Sequence, residues 1–369
     1  MVTKTIEQFD AELARAHMRG QWQYDELLVR VIGGPKPAGV PYIWKWKDVY
    51  ERLVEACEVI PESFTARRNI SFMNPGLERG GTTHTIVMGM QMIRPGEIAW
   101  AHRHTIAALR FVVRGHPAAY TAVDGEPCPM EDYDLILTPQ WTWHDHVNPT
   151  EQPVVWVDVL DLGFVLALNV PFYETYGEAR QPERSRPGEF VQRRAHFVRP
   201  VWERPKRENF PFRYPWREVE PVLREFSDQP GSPYDGVVLE YVNPITGGPA
   251  MPTLSCWIQL LRPGEETKAH RHTSSSVYFV VRGEGKTIAG DQELEWEQHD
   301  CFVVPNWMWH RHVNRSREHE AVLFSVNDIP ILRAFDLYRE EPEVSLQMMG
   351  PPVVPAETTR PERAAGRKT

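Results

Sequence analysis

Two features that the sequence lacks limit its possible partners before any motif is considered. The chain has 369 residues, and none of its apolar runs approaches the roughly 20 residues that a membrane-spanning helix needs. It also lacks a basic excess, because its formal net charge is −9. A surface that neutralises many nucleic-acid phosphates is therefore not expected. We predict that the protein binds neither membrane nor nucleic acid.

Cysteine is scarce and dispersed. The four cysteines, Cys57, Cys128, Cys256 and Cys301, form no Cys-x-x-Cys pair, which argues against a zinc ribbon or a disulfide scaffold. The N-terminus carries acidic residues and a helical apolar period, where a secretory signal needs a basic start and an unbroken apolar stretch. We expect buried thiols in a soluble protein of the reducing cytoplasm.

What the chain does contain is an internal repeat. Residues 101–115 read AHRHTIAALRFVVRG, and residues 269–283, 168 positions later, read AHRHTSSSVYFVVRG. Further on, TPQWTWHDHVN at 138–148 returns as VPNWMWHRHVN at 304–314. A repeat on this scale indicates a duplicated domain. The length of the chain allows two domains of ordinary size, each with its own core.

Short strand-like segments within each copy predict the fold class. They are rich in β-branched and aromatic residues and often end at Pro-Gly or Asp-Gly, as in IVMGMQMIRPG and AYTAVDG, which is typical of an antiparallel barrel or jelly roll. Before the first copy, TIEQFDAELARAHM and WKDVYERLVEACEVI have the apolar period of amphipathic helices. The predicted regions are an N-terminal helical segment (1–60), a first barrel (61–174), a crossover (175–215), a second barrel (216–345) and a C-terminal tail (346–369).

Three histidines of the first copy form a candidate metal site. His102 and His104 alternate on one strand, so both imidazoles face the same side. His144 follows in a Trp-rich turn that an antiparallel barrel can bring beside them. Three neutral imidazoles suit Fe(II), Zn(II), Cu(II) or Ni(II). The second copy repeats the pattern as His270, His272 and His310.

These residues resemble the two sequence motifs of the cupin family. The first motif matches Gly96 and His102-Arg103-His104, and the second matches Pro139, Trp141, His144 and Asn148. The glutamate that many cupins carry shortly after His-x-His is missing from the run TIAALRF. With VPYIWKW, ARRNISFMNPGL and NPITGGPAMPTL, the chain resembles the bicupin ring-cleaving dioxygenases that act on gentisate, salicylate or 1-hydroxy-2-naphthoate.

The resemblance implies an Fe(II) enzyme that adds O2 to a small ortho-hydroxy aromatic acid. Three protein ligands leave about three of six positions on the metal, enough for a chelating acid and dioxygen. We expect gentisate as the substrate, giving maleylpyruvate, with salicylate, substituted salicylates and 1-hydroxy-2-naphthoate as alternatives. The resemblance also implies a homotetramer.

Further residues are expected around the substrate. Arg110, six residues beyond His104, has a strand position that faces inward, where a guanidinium can pair with a carboxylate. By the resemblance, catalysis involves Arg110, His146 and Asp158, while the substrate contacts Gln91, Gly89 and either Arg67 or Arg68. His146 is expected to donate a hydrogen bond to the substrate oxygens or to transfer a proton.

The second copy departs from the first at two of these positions. Tyr278 replaces Arg110 and Ser325 replaces Asp158, whereas Gln259 and His312 are retained. We therefore expect ring cleavage in the first barrel. The second barrel is expected either to bind iron without turnover or to be structural, with an additional working site as the alternative.

Two other classes of function share the barrel. One is a cupin that stores or binds a ligand without catalysis, and the other is a metal-dependent isomerase or epimerase, because a fold alone never decides function. Arg110 and the missing glutamate weigh against the storage protein. Oxygen uptake separates the dioxygenase from both of these classes.

Overall fold

The computed structural model describes residues 4–60, 68–184, 186 and 212–343. The predicted tail, most of the crossover and Arg67 lie outside the described residues. The helices are α1 (Ile6–Arg15), α2 (Asp25–Arg30), α3 (Trp46–Val59), α4 (Leu162–Ala167), α5 (Trp216–Glu225) and α6 (Ile329–Ala334), with a 3-10 turn at Gln21–Tyr24. Among the described residues, no helix is long and apolar enough to cross a bilayer.

Antiparallel strands make up most of the rest. They are β1 (Tyr42–Trp44), β2 (Arg68–Ser71), β3 (Val87–Ile93), β4 (Ile98–His104), β5 (Ala108–Arg114), β6 (His116–Val123), β7 (Glu126–Met130), β8 (Leu135–Thr138), β9 (His144–Val147), β10 (Val154–Leu160), β11 (Tyr173–Thr175) and β12 (Arg213–Tyr214). The second repeat contributes β13 (Val237–Glu240), β14 (Ser255–Leu261), β15 (His270–His272), β16 (Ser276–Arg282), β17 (Gly285–Ala289), β18 (Gln292–Trp296), β19 (Cys301–Val304), β20 (His310–Asn314), β21 (Ala321–Asn327) and β22 (Glu340–Pro342).

Each repeat forms a barrel of two sheets that do not close on each other. In the first barrel the sheets run β12-β8-β5-β10-β3-β2 and β11-β4-β9-β6-β7. In the second they run β1-β19-β16-β21-β14-β13 and β18-β17-β20-β15-β22. The prediction of two tandem jelly rolls preceded by helices is confirmed.

The two barrels exchange their outermost strands. Strand β1, which precedes the first barrel, pairs with β19 of the second, with Trp44 opposite Cys301. Strand β12, which precedes the second barrel, pairs with β8 of the first, with Arg213 opposite Ile136. Each six-stranded sheet is therefore completed by residues that lie next to the other repeat in the chain.

The side chains of each six-stranded sheet divide between a core shared by the barrels and the core of its own barrel. One face of each sheet packs into a shared core between the barrels, where the rings of Phe111 and Phe324 stack at 4.1 Å. The opposite face of each sheet lines its own barrel, with Trp156 in the first and Tyr278 in the second. Functional residues on the inner faces are thus held by strands that are buried on both sides.

Candidate metal and substrate site

Strands β4 and β9 bring three histidines together inside the first barrel. His102 and His104 lie at the end of β4, and His144 begins β9 directly opposite His102. All three are buried, and their ligand atoms lie within 4.8 Å of one another. The alternation of β4 places the first two on one face, while the strand register supplies the third.

Backbone carbonyls orient these imidazoles. Nδ1 of His102 lies 2.7 Å from the carbonyl oxygen of Trp100, and Nδ1 of His104 lies 2.6 Å from that of Ile106. His144 makes the same kind of contact at 3.1 Å. A carbonyl only accepts hydrogen bonds, so each Nδ1 carries the proton and each Nε2 keeps a lone pair. The tautomers are those that a metal site needs.

The charge state of the triad also suits a cation. Burial, followed by the charges of the other two imidazoles and of Arg110, holds the pKa of His144 well below its usual value. Its Nε2 is buried and has no hydrogen-bond partner in the described part of the chain. A neutral, desolvated nitrogen of this kind is an effective ligand for a divalent transition metal.

An arginine and an aspartate face each other on the inner surface of the six-stranded sheet. Arg110 on β5 is opposite Asp158 on β10, and both are at most 5% exposed. Arg110 Nε lies 3.5 Å from Asp158 Oδ1, and Arg110 Nη1 donates to Thr138 Oγ1 at 2.8 Å. The guanidinium is therefore fixed from two sides.

Asn69 is a member of this group that the sequence interpretation missed. It is opposite Gln91 in the β2–β3 pair, and its Nδ2 donates to Asp158 Oδ2 at 2.8 Å. Directly opposed residues share a face of the sheet, so Asn69 and Gln91 face the same side. The Nε2 of Gln91 is buried and lacks a hydrogen-bond partner among the described residues.

The side chain of Arg68 lies on the face of the sheet that points away from the three histidines. It is opposite Met92, whose side chain belongs to the shared core, so it points to the other side of the sheet from Gln91. It is 1% exposed and forms a 2.7 Å ion pair with Glu97. The physical reason is the strand register, which assigns the inward position to Asn69. Arg67 lies outside the described residues.

His146 and Gly89 lie close to the same space. Nδ1 of His146 is 2.8 Å from the hydroxyl oxygen of Thr121, and its ring centroid is 6.0 Å from that of His144. Gly89 is opposite Asp158. A Cβ atom at Gly89 would lie 2.5 Å from the carbonyl oxygen of Ile70. Glycine is therefore needed here for the close approach of β2.

The second barrel contains an equally buried triad with different surroundings. The ligand atoms of His270, His272 and His310 again lie within 4.8 Å of one another. The position of Arg110 is occupied by Tyr278, which is opposite Ser325 and stacks on Phe302 at 4.6 Å. The arginine–aspartate pair of the first barrel has thus been replaced by a neutral, aromatic contact.

Comparison with known proteins agrees with this architecture. The family model described as "Cupin domain" matches residues 89–160 and 257–327. These ranges contain β4 to β10 of the first barrel and β15 to β21 of the second. The duplication seen in the sequence therefore corresponds to two copies of one known domain.

Relatives that match most of the chain are named as 1,2-dioxygenases. The chain is 46% identical to the 1-hydroxy-2-naphthoate 1,2-dioxygenase of Nocardioides sp. (strain KP7), over 97% of this chain and 93% of that one. It is 42% identical to the 5-aminosalicylate 1,2-dioxygenase of Comamonas sp, over 89% and 88%.

A solved structure gives the same result. Salicylate 1,2-dioxygenase from Pseudoaminobacter salicylatoxidans, crystallised as an adduct with gentisate, superposes with a TM-score of 0.82 at 31% identity. The match covers 93% of this chain and 96% of that one. The resemblance read from the sequence is confirmed: this chain belongs to the bicupin ring-cleaving dioxygenases.

Proposed function

We propose that the first barrel binds Fe(II) through His102, His104 and His144 and adds both atoms of O2 to an ortho-hydroxy aromatic acid. Cleavage falls between the carbons that carry the hydroxyl and carboxyl groups. The observation that carries this proposal is the buried triad of correctly protonated imidazoles near a fixed Arg110. Bound iron would hold the chelating acid and dioxygen side by side and allow electrons from the aromatic ring to reach oxygen.

Arg110 is proposed to bind the carboxylate of the substrate. A guanidinium presents donors in a planar fork that matches a carboxylate. Its contacts with Asp158 and Thr138 fix its direction before the substrate arrives, so little side-chain freedom is lost on binding. Asp158 is a positioning residue in this account, and Asn69 holds it in turn.

His146 is proposed to handle the proton of the substrate hydroxyl. The hydroxyl must lose its proton to chelate a metal as a phenolate, and an imidazole is a suitable acceptor near neutral pH. The contact between Nδ1 and Thr121 orients the ring. Gln91, whose amide nitrogen has no hydrogen-bond partner among the described residues, is proposed to donate to a substrate oxygen.

The preferred acid is proposed to be 1-hydroxy-2-naphthoate. Support comes from the relative that is 46% identical over nearly the whole chain. Gentisate, which the sequence alone favoured, is the second candidate, supported by the similar salicylate dioxygenase that was crystallised with gentisate.

Oxygen uptake by the protein loaded anaerobically with Fe(II) tests this proposal. Gentisate, salicylate, 5-aminosalicylate and 1-hydroxy-2-naphthoate are supplied in parallel, and ring opening is followed by absorbance. We expect one O2 per molecule of substrate and the highest kcat/KM with 1-hydroxy-2-naphthoate. A higher value with gentisate would reverse the order of the two candidates, and no uptake with any acid by iron-loaded protein would refute the dioxygenase assignment of this site.

A further inference from the structure

Asp161 is a buried carboxylate that the proposed reaction does not involve. It lies immediately before α4 and is fully buried. Its Oδ1 accepts a hydrogen bond from the backbone N–H of Ala107 at 2.8 Å. Ala107 follows the His102–His104 pair by three residues. Burying a carboxylate is costly unless hydrogen bonds satisfy it, so the place of this one beside the candidate metal site needs an explanation.

One peptide group connects this carboxylate to a histidine of the triad. The N–H of the peptide between Ile106 and Ala107 donates to Asp161, and the carbonyl oxygen of the same peptide lies 2.6 Å from Nδ1 of His104. Because a peptide group is planar, a partner that fixes its N–H also fixes the direction of its carbonyl. Hydrogen bonds in such a chain polarise one another. The carboxylate therefore strengthens the bond that orients His104 and increases the donor strength of the ring.

A residue of the second repeat holds Asp161 from the other side. Burial raises the pKa of Asp161 to about 6, and a hydrogen bond from the side chain of Thr253 opposes that rise. Gln140 Nε2 lies 3.2 Å from Thr253 Oγ1 and 3.4 Å from Asp161 Oδ2. Gln140 belongs to the turn that leads into His144. Thr253 thus contacts a polar group that reaches the chain segments of two of the three histidines.

The same chain of contacts occurs in the second barrel with the repeats exchanged. Asp328 Oδ1 accepts from the backbone N–H of Ser275 at 3.0 Å. The carbonyl oxygen of that peptide, which belongs to Ser274, lies 2.8 Å from Nδ1 of His272. Thr85 Oγ1, from the first repeat, donates to Asp328 Oδ2 at 2.6 Å. Each aspartate therefore joins a histidine of its own barrel to a threonine of the other repeat.

The matching residues are equivalent in the sequence repeat. Thr85 and Thr253 are 168 positions apart, and so are Ala107 and Ser275. The arrangement is thus present in both copies, although the facing arginine and aspartate of the first barrel are not. It provides a matched control within one chain, because each aspartate contacts the histidines of one barrel only.

We propose that Asp161 and Thr253 are positioning residues for metal binding in the first barrel. Asp161 acts on His104 through the peptide between them, and Thr253 of the second repeat holds Asp161. The inference rests on the proposed function, in which His104 binds the metal. It gives the second repeat a role in the first site that does not depend on whether its own triad holds an ion.

The variant Asp161→Asn tests the role of the carboxylate. The amide oxygen can still accept from Ala107, so the peptide stays in place while the negative charge is lost. In a full-length parent chain carrying His270→Ala and His310→Ala, the visible absorption of Co(II) reports the first barrel alone. Loss of a partner outside the ligands costs about 10- to 100-fold in metal affinity. We expect Co(II) affinity to fall about tenfold, the lower end of that range, because a peptide lies between the carboxylate and the ring.

The variant Thr253→Val tests the contribution of the second repeat. Valine has nearly the shape of threonine but cannot donate to Asp161. A neutral donor contributes less than a charge, so we expect Co(II) affinity in the same parent chain to fall about threefold. The matched controls are Asp328→Asn and Thr85→Val, which change the equivalent group of the second barrel and should leave Co(II) affinity of the first barrel unaltered.

Each outcome bears on the inference without any measurement of ring cleavage. A purely structural role would lower the urea midpoint of Asp161→Asn but leave its Co(II) affinity and spectrum unchanged, which would overturn the inference and leave the proposed function intact. Equal weakening by Asp328→Asn would also overturn it, because the effect would then not pass through His104. A parent chain that binds no Co(II) would overturn the inference and the proposed metal site together.

Discussion

At the scale of single residues, the two barrels differ at the position of Arg110 and Tyr278. Arg110 is opposite Asp158, and Tyr278 is opposite Ser325 at the same point of the repeat. A change of two facing side chains replaces an arginine–aspartate pair with a tyrosine and a serine. The backbone and the histidines around it are retained. Under the proposed function, selectivity for an acid should depend on these two facing positions.

The variant Arg110→Lys tests whether the positive charge of Arg110 is sufficient for activity or whether the planar guanidinium is also needed. The variant keeps the positive charge but loses the planar fork, and a hydrogen bond to a charged group contributes roughly 2–3 kcal/mol. We expect kcat/KM to fall about 30- to 100-fold in steady-state oxygen uptake. Tyr278→Phe, at the equivalent position of the second barrel, is the matched control and should leave the rate unchanged. An effect of the same size in the control would argue against the role of Arg110.

Replacement of one histidine in each triad locates the chemistry. His102→Ala should abolish oxygen uptake, because the proposed iron site of the first barrel loses a ligand. His270→Ala should retain activity, since the second site lacks the facing arginine and aspartate. Both variants are compared by oxygen electrode at equal concentrations of folded protein. Equal loss in the two variants would assign catalysis to both barrels.

The histidines of each triad could be predicted from the sequence pattern, and Arg110, His146, Asp158 and Gln91 from the resemblance, whereas Asn69 could not. His-x-His on a strand places two rings on one face by geometry alone. The inward position of Asn69, by contrast, follows from the register of β2 against β3, which depends on contacts between distant parts of the chain. In the sequence, Arg67 and Arg68 were a clearer signal for binding an anionic substrate than the neighbouring Asn69. Register places Arg68 with Glu97 instead.

At the scale of elements, two aspartates anchor the exchanged strands. Asp300 accepts hydrogen bonds from Lys45 Nζ at 2.6 Å and from the backbone N–H of Trp46 at 2.8 Å, at the start of α3. Asp134 accepts from Arg213 Nε and from the backbone N–H of Trp216, each at 2.7 Å, at the start of α5. The same arrangement, in which an aspartate binds both a residue in or beside the exchanged strand and the N-terminus of the following helix, occurs in both repeats.

Asp134→Asn should destabilise the fold. The amide can still accept from Trp216, but Arg213 loses its buried anionic partner. Breaking a buried ion pair typically costs about 3–5 kcal/mol, and we expect a loss of about 3 kcal/mol in urea unfolding. Glu131→Gln removes the more exposed partner of the same arginine, 38% exposed, and should cost no more than about 1 kcal/mol. Similar costs for the two variants would contradict this account.

Helices α1 and α3 were predictable because their apolar period is strong. Strands β1 and β12 were not predicted, since a strand of three or two residues has too little alternation to be recognised. Helix α5 was also missed, because it contains Pro221, which sequence patterns treat as a breaker. These elements owe their conformation to the barrel that they join.

At the scale of the whole molecule, the buried His299 at the junction of the barrels should make the stability of the fold depend on pH. Its Nε2 is 3.2 Å from the hydroxyl of Tyr133 in the other repeat, and its ring stacks on Phe279. Burial, followed by the charge of Arg114, lowers the pKa of His299 to about 4. In the unfolded chain a histidine titrates at about 6.5. The unfolded state therefore takes up this proton first as the pH falls.

Stability should accordingly decrease as the pH falls from about 6.5 to about 4. His299→Gln should make the free energy of unfolding less dependent on pH across that window, as measured by urea unfolding at a series of pH values. His17→Gln, a change of an exposed histidine near the N-terminus, is the control. An unchanged pH dependence in His299→Gln would contradict the assignment.

The exchanged strands also bear on how such a chain can be divided. A gene cut between the repeats would yield one fragment with β1 but not its partner β19, and another with β12 but not its partner β8. Each fragment would leave a sheet edge unpaired, and unpaired edges invite association with other chains. Although the domain was duplicated, the two copies should fold only as one unit, because each six-stranded sheet contains a strand from beside the other repeat.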